Sequence, residues 1–139
     1  MTERFVADAS IGVAWSVLAQ SSRKTDGLLD EVAEGRRFYV PVLWFFEIAN
    51  ALLVLRRRKK ITPKECAAAG RALASLHPAV DEEEPRVAFG KVSELALEQS
   101  LSVYDAAYLE LALRRGLPLA SRHVDLNSAA QQCGVRVLL

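Results

Sequence analysis

Apolar positions along this chain follow two rhythms. Short apolar runs at Arg4-Phe-Val-Ala-Asp8, Phe38-Tyr-Val-Pro-Val42, Leu117-Pro-Leu-Ala120 and Val135-Arg-Val-Leu138 have the length and make-up of strands, with Ala79-Val80 a brief edge strand. Elsewhere apolar residues return every three or four positions, as on one face of a helix. Ile11, Ala14, Trp15 and Leu18 predict a helix over 11–19 with Ser10 as its cap. A second helix is expected over 22–34, stopped by Gly35, and a third opens near Pro41 and runs to about Lys59. Thr62-Pro-Lys-Glu65 is a start signal for a helix that ends before Pro78. Further helices are expected over 82–100, over 102–115 with Gly116 as stop, and over 126–132.

Strands alternating with helices predict a doubly wound α/β sheet, buried on both faces. The 139 residues suit one domain spanning 1–139. Within it the third helix stands out. Pro41 to Leu55 is the most apolar stretch, yet it carries Glu47 and Asn50, on one stripe with Leu43 and Val54. A carboxylate on a helix that is apolar almost all round needs a cation, a metal or a wet cleft, because an unpaired buried charge is costly.

Composition narrows the remaining choices. The chain is 51% apolar and 25% charged, with net charge +1, so any attraction to nucleic acid must be local. The run Arg56–Lys60 is one such place; it either contacts RNA phosphate or an acidic partner, or complements the helix dipole. Two cysteines, Cys66 and Cys133, stand far apart without metal-ligand spacing, which fits a reducing cytoplasm. The start lacks a signal-peptide pattern. The stretch 40–55, interrupted by Glu47 and Asn50, falls short of the roughly 20 apolar residues a membrane span needs. No Walker loop, GxGxxG or HExxH is present.

In a doubly wound sheet, ligands bind beyond the carboxyl ends of the strands. Asp8 ends the first strand, Asp105 opens the helix after Leu101-Ser-Val-Tyr, Asp125 follows the fourth strand, and Glu47 projects from the third helix. Four acids at one rim suit a hard divalent ion, magnesium or manganese, which can activate water and neutralise charge at a phosphodiester. Each acid also has a structural alternative. Asp105 completes a capping box with Ser102, Asp8 can accept amides of the next helix, Asp125 can be plain surface, and Glu47 can pair with a basic residue.

Three segments together resemble a family. Phe5-Val-Ala-Asp8-Ala-Ser10, Pro41-Val-Leu-Trp-Phe-Phe-Glu47-Ile-Ala-Asn50-Ala-Leu52 and Leu101-Ser-Val-Tyr-Asp105-Ala-Ala-Tyr108 are similar to the signature segments of PIN-domain ribonucleases. Among these the resemblance is nearest to the VapC-type toxins of bacterial toxin–antitoxin pairs. It implies a three-layer α/β/α fold with a mainly parallel sheet and a magnesium- or manganese-dependent endoribonuclease acting on RNA. It also implies a homodimer and a cognate antitoxin that blocks the site. Asp8, Glu47 and Asp105 match the family's acidic metal positions, with Ser10 and Asn50 as polar support. The fourth acid departs from the pattern. The family's acid lies two residues after the Ser or Thr closing the fourth strand; here that Ser is Ser121 and the in-register residue is His123, with Asp125 two further on. Asp125 is the expected substitute, because a carboxylate suits magnesium better than imidazole does. His123 in its place, or three acids unaided, are the alternatives.

Two other readings remain. One is a catalytically silent domain of the same fold that binds RNA or a protein partner. The other is a receiver-like domain, disfavoured because the last strand offers only Arg136 where a lysine is needed.

Overall fold

A computed structural model of the chain describes residues 3–82 and 85–139. In order, it forms β1 (Phe5–Ala7), α1 (Ala9–Ser16), α2 (Arg23–Ala33), β2 (Phe38–Pro41), α3 (Leu43–Arg57), α4 (Pro63–Ala74), β3 (Ala79–Asp81), α5 (Lys91–Gln99), α6 (Val103–Arg115), β4 (Leu119–Ala120) and α7 (Val124–Gln132). The four strands pair in parallel in the order β3-β2-β1-β4. The architecture is the expected one, a parallel sheet flanked by helices.

The strand order positions the site. Crossovers from β1 to β2 to β3 step one way across the sheet, and the connection from β3 to β4 steps back past them. Because such crossovers are right-handed, the reversal sends α5 and α6 to the face opposite α1–α4. The crevice between β1 and β4 is therefore the switch point, where α/β sheets bind ligands beyond the strand ends. Phe5, Val6 and Ala7 are completely buried, as a central strand covered on both faces requires.

Trp44, Ile48 and Leu52 form the buried stripe of α3 and pack it on α1 and α4. The approach is close at Gly12, where a Cβ would overlap Ile48 Cδ1 and stand 3.0 Å from Trp44 Cζ2. Phe5, Trp15, Phe38 and Trp44 continue the core as neighbouring rings, with Phe38 5.7 Å from Phe5 and 5.8 Å from Trp44.

Several elements differ from expectation for local reasons. α3 is not buried all round: Phe45, Phe46 and Asn50 are exposed, and Glu47 sits on the shoulder. Pro41 closes β2 rather than opening α3. The cap of α1 is Asp8, whose side chain accepts from the Ile11 amide, so Ser10 lies inside the helix. The helix expected over 82–100 is only Lys91–Gln99, preceded by a 3-10 turn at Pro85–Phe89 and interrupted at Gly90; Glu83 and Glu84 lie outside the described residues. Val135–Leu138 forms a single bridge, Leu119 to Val137, rather than a strand. Cys66 and Cys133 are free thiols. Among the described residues, no helix is long and apolar enough to cross a membrane.

Candidate active site

Asp8 is the fixed point of the site. It follows β1 directly, its amide donates to the Ala120 carbonyl at 3.1 Å, and it is 1% exposed. Two hydroxyls grip its carboxylate, Ser10 Oγ on Oδ1 at 2.6 Å and Ser121 Oγ on Oδ2 at 2.5 Å. Each hydroxyl also accepts a backbone amide from the turn after β4, Ser10 from Arg122 and Ser121 from His123, both at 2.9 Å. The turn is thereby fastened to Asp8 at two points. Trp44 Nε1 donates to the Asp8 carbonyl at 3.0 Å and ties α3 to the same residue.

Glu47 and Asp105 join from opposite faces of the sheet. Tyr108, buried on α6, donates its hydroxyl to Glu47 Oε1 at 2.6 Å. Asp105 lies one turn before Tyr108 and so shares its side of α6. Its amide donates to Ser102 Oγ at 3.0 Å, but the box is not reciprocated, which leaves the Asp105 carboxylate for other work. His123 Nδ1 stands 3.5 Å from Asp105 Oδ1 and 3.9 Å from Asp8 Oδ2.

Three predicted acids thus come together, and the fourth does not join them. Asp125 is exposed in the first turn of α7, and among the described residues no hydrogen bond or ion pair links it to Asp8, Glu47 or Asp105. His123 faces the acids instead. Asn50 is exposed and bonds to none of them among the described residues. Arg56–Lys60 is exposed at the far end of α3, beside a cavity of about 410 Å³. Sequence reading assigned no part to Tyr108, Ser121 or Arg122. The three-residue spacing from Asp105 to Tyr108 was the available signal for the first.

Electrostatics show a site short of positive charge. Burial raises the Asp8 pKa over the opposition of its serine hydrogen bonds. Glu47 is raised by burial and by the charges of Asp105 and Asp8, over the opposition of Tyr108. His123 is raised chiefly by its contact with Asp105, helped by the charges of Asp8 and Glu47. Burial and the Glu47 bond push the Tyr108 phenol upward, so it remains a donor throughout the ordinary pH range. Among the described residues no three such groups already stand at spacing to enclose an ion. Carboxylate oxygens with an imidazole are nevertheless donor types that manganese or magnesium accepts.

A pH dependence follows. Asp8 and Glu47 have folded pKa values above the ordinary 3.8 and 4.5, so their contribution to stability is complete below those values and lost as pH rises through the folded ones. His123, raised above 6.5, acts in the same direction at higher pH. Asp81 opposes them: burial would raise it, but Arg114 and Arg115 hold it below 3.8, so its contribution is lost only as pH falls through that lowered pKa. The melting temperature of the metal-free protein is expected to decline from about pH 5 to about pH 8. A rise across that window in circular-dichroism melts contradicts this account of the acids.

No protein-family model and no curated protein matches the chain. Solved structures do. PAE2754 from Pyrobaculum aerophilum is 25% identical, with a TM-score of 0.68, covering 93% of this chain and 87% of that one. FitAcB from Neisseria gonorrhoeae is 14% identical with a TM-score of 0.64, covering 97% of this chain and 96% of that one. Both are PIN-like structures, and the likeness to FitAcB is one of fold.

Proposed function

We propose that the protein is a divalent-metal-dependent endoribonuclease, the toxin of a toxin–antitoxin pair of the VapC type. The observation carrying this reading is the meeting of Asp8, Glu47 and Asp105, from three separate elements, at the switch point of the sheet. The fold likeness to FitAcB, a PIN-domain toxin–antitoxin complex, supports it. Exposed Phe46 and Tyr104 adjoin Glu47 and Asp105 in sequence and offer apolar surface for an antitoxin or a second copy to cover. Free thiols suit a cytoplasmic setting.

A bound magnesium or manganese ion would lower the pKa of the attacking water and shield charge on the phosphate. Asp8, Glu47 and Asp105 would hold it. Ser10 and Ser121 fix both oxygens of Asp8, so its carboxylate cannot rotate away. Tyr108 fixes one oxygen of Glu47 and leaves Oε2 without a hydrogen bond among the described residues. His123, when protonated, partly neutralises the acids, and as a neutral imidazole it has a lone pair to offer.

His123→Ala is therefore expected to lower manganese-supported cleavage by about tenfold, and Asp125→Asn to leave it within about twofold. The reverse pattern in a cleavage assay returns the fourth position to Asp125. The function as a whole is tested by sequencing RNA ends after induced expression, with and without the product of the neighbouring reading frame. New ends that vanish with the neighbour support the toxin; no new ends contradict it. A catalytically silent domain binding RNA or protein is the second reading, favoured by His123 standing where the resemblance expects an acid. Cleavage of purified RNA that stops on chelation removes it.

A further inference from the structure

The nuclease reading leaves one side of the site unused, and the inference drawn here rests on that reading. Beside the acids lies an open cavity of about 460 Å³ whose polar lining is Ser10, Gln20, Glu47, Arg122 and His123. Glu47 belongs both to this cavity and to the acid cluster, so a strand lying across the acids continues into it. We propose that this cavity is the subsite for a phosphate flanking the scissile one, with the Arg122 guanidinium as its clamp.

The acids themselves repel a polyanion, and a chain of net charge +1 offers no general attraction to offset this. A local cation is required, and among the described residues Arg122 is the one guanidinium lining the cavity. Its charge is uncommitted. Arg36 pairs with Glu31, and Arg115 with Asp81, each within 3 Å. Among the described residues, no carboxylate lies within ion-pair distance of Arg122, which reaches only the neutral Gln20 Oε1 at 3.4 Å. A phosphate oxygen competes easily with so long a bond, and the planar guanidinium suits phosphate in a forked geometry.

The root of this side chain is fixed where its tip is free. The Arg122 amide donates to Ser10 Oγ at 2.9 Å, and Ser10 Oγ donates to Asp8 Oδ1 at 2.6 Å. Two hydrogen bonds therefore set the distance from the Arg122 backbone to the principal acid. A phosphate held by Arg122 therefore lies within an arginine side chain's length of that anchor. Gln20, in the 3-10 turn Leu18–Gln20 after α1, stands opposite as a neutral partner for the sugar or phosphate.

The test uses the full chain carrying Glu47→Gln to suppress cleavage, with fluorescein-labelled oligouridine and oligoadenosine as probes. Affinities are read by anisotropy at several salt concentrations. Adding Arg122→Gln is expected to weaken both probes by about tenfold at low salt. The logarithmic salt slope should fall by about 0.7, one single-strand phosphate contact. Arg122→Lys should keep the slope, because the charge remains. The melting temperature should match the parent, which excludes a loss of fold. An unaltered slope on both probes overturns the proposal. Weakening of one probe alone also overturns it, since a phosphate clamp does not distinguish bases. Loss of binding to a polyglutamate peptide, with the RNA slope unaltered, overturns it in favour of an acidic protein segment. The nuclease reading is scored separately by manganese binding to Arg122→Gln with Glu47 intact. No manganese binding together with a reduced RNA slope supports the subsite and removes the metal reading alone.

Discussion

Replacing Glu47 with glutamine is expected to lower RNA cleavage by about a hundredfold or more while making the metal-free protein no less stable, and at neutral pH more so. Two effects of one carboxylate are separated by this change. Glutamine keeps an oxygen to accept the Tyr108 hydroxyl, so the 2.6 Å bond between α6 and α3 survives. What it removes is a negative charge held in a half-buried position beside Asp105 and Asp8, the situation that raises the Glu47 pKa. That charge costs stability once pH exceeds the raised pKa, so the gain should disappear in acid, where Glu47 is already neutral. Thermal melts at two pH values and a cleavage assay supply both readings. Wild-type cleavage by Glu47→Gln contradicts the role assigned to α3. Lower stability at neutral pH means that the carboxylate is compensated by a cation not identified above.

Trp44→Ala is expected to cost about 3–5 kcal/mol, a large share of the roughly 5–15 kcal/mol that holds a domain of this kind together. Trp44 is 1% exposed and lies between the Phe38 and Phe45 rings, 5.8 and 5.1 Å from their centres. Its loss leaves a cavity where α1, α3 and β2 meet, and Gly12 has no side chain to collapse into it. The indole N–H also donates to the Asp8 carbonyl, so the residue anchoring the acids loses a support. Trp44→Phe should cost less, restoring most of the packing without that bond. Urea unfolding midpoints of the three proteins measure this directly. A loss under about 1 kcal/mol for Trp44→Ala shows that the core does not rest on this residue.

Features legible in the sequence were those decided within a few residues. The start of α4 is a reciprocal box, with the Glu65 amide on Thr62 Oγ1 at 3.0 Å and the Thr62 amide on Glu65 Oε1 at 2.8 Å. Four positions contain all the information for it. The box of Ser22 and Thr25 at α2, where Ser22 caps the helix rather than lying inside it, uses a threonine where the pattern has an acid or amide. The parallel sheet was legible too, because uninterrupted apolar runs between amphipathic helices leave few other arrangements. At α1, two good capping residues stand two apart, and the end of β1 chose Asp8 over Ser10. Val135–Leu138 has strand composition, but β4 pairs for only two residues and meets it at one bridge.

The site was legible in part for the same reason. Asp8, Glu47 and Asp105 could be placed by segment, and their elements converge. The Tyr108 bond to Glu47 spans 61 positions in sequence, and the serine grip on Asp8 spans 113 at Ser121; no local pattern encodes either. The register of the turn after β4 was equally hidden. Backbone bonds from Arg122 and His123 to the two serines turn His123 toward the acids and leave Asp125 on the surface of α7.

Calorimetric titration of manganese into the metal-free protein, alongside Glu47→Gln, decides whether Asp8, Glu47 and Asp105 form a cation site. Saturable binding to the wild type is expected, weakened by at least about tenfold in the variant. No saturable heat with the wild type, or the same affinity in both proteins, contradicts it.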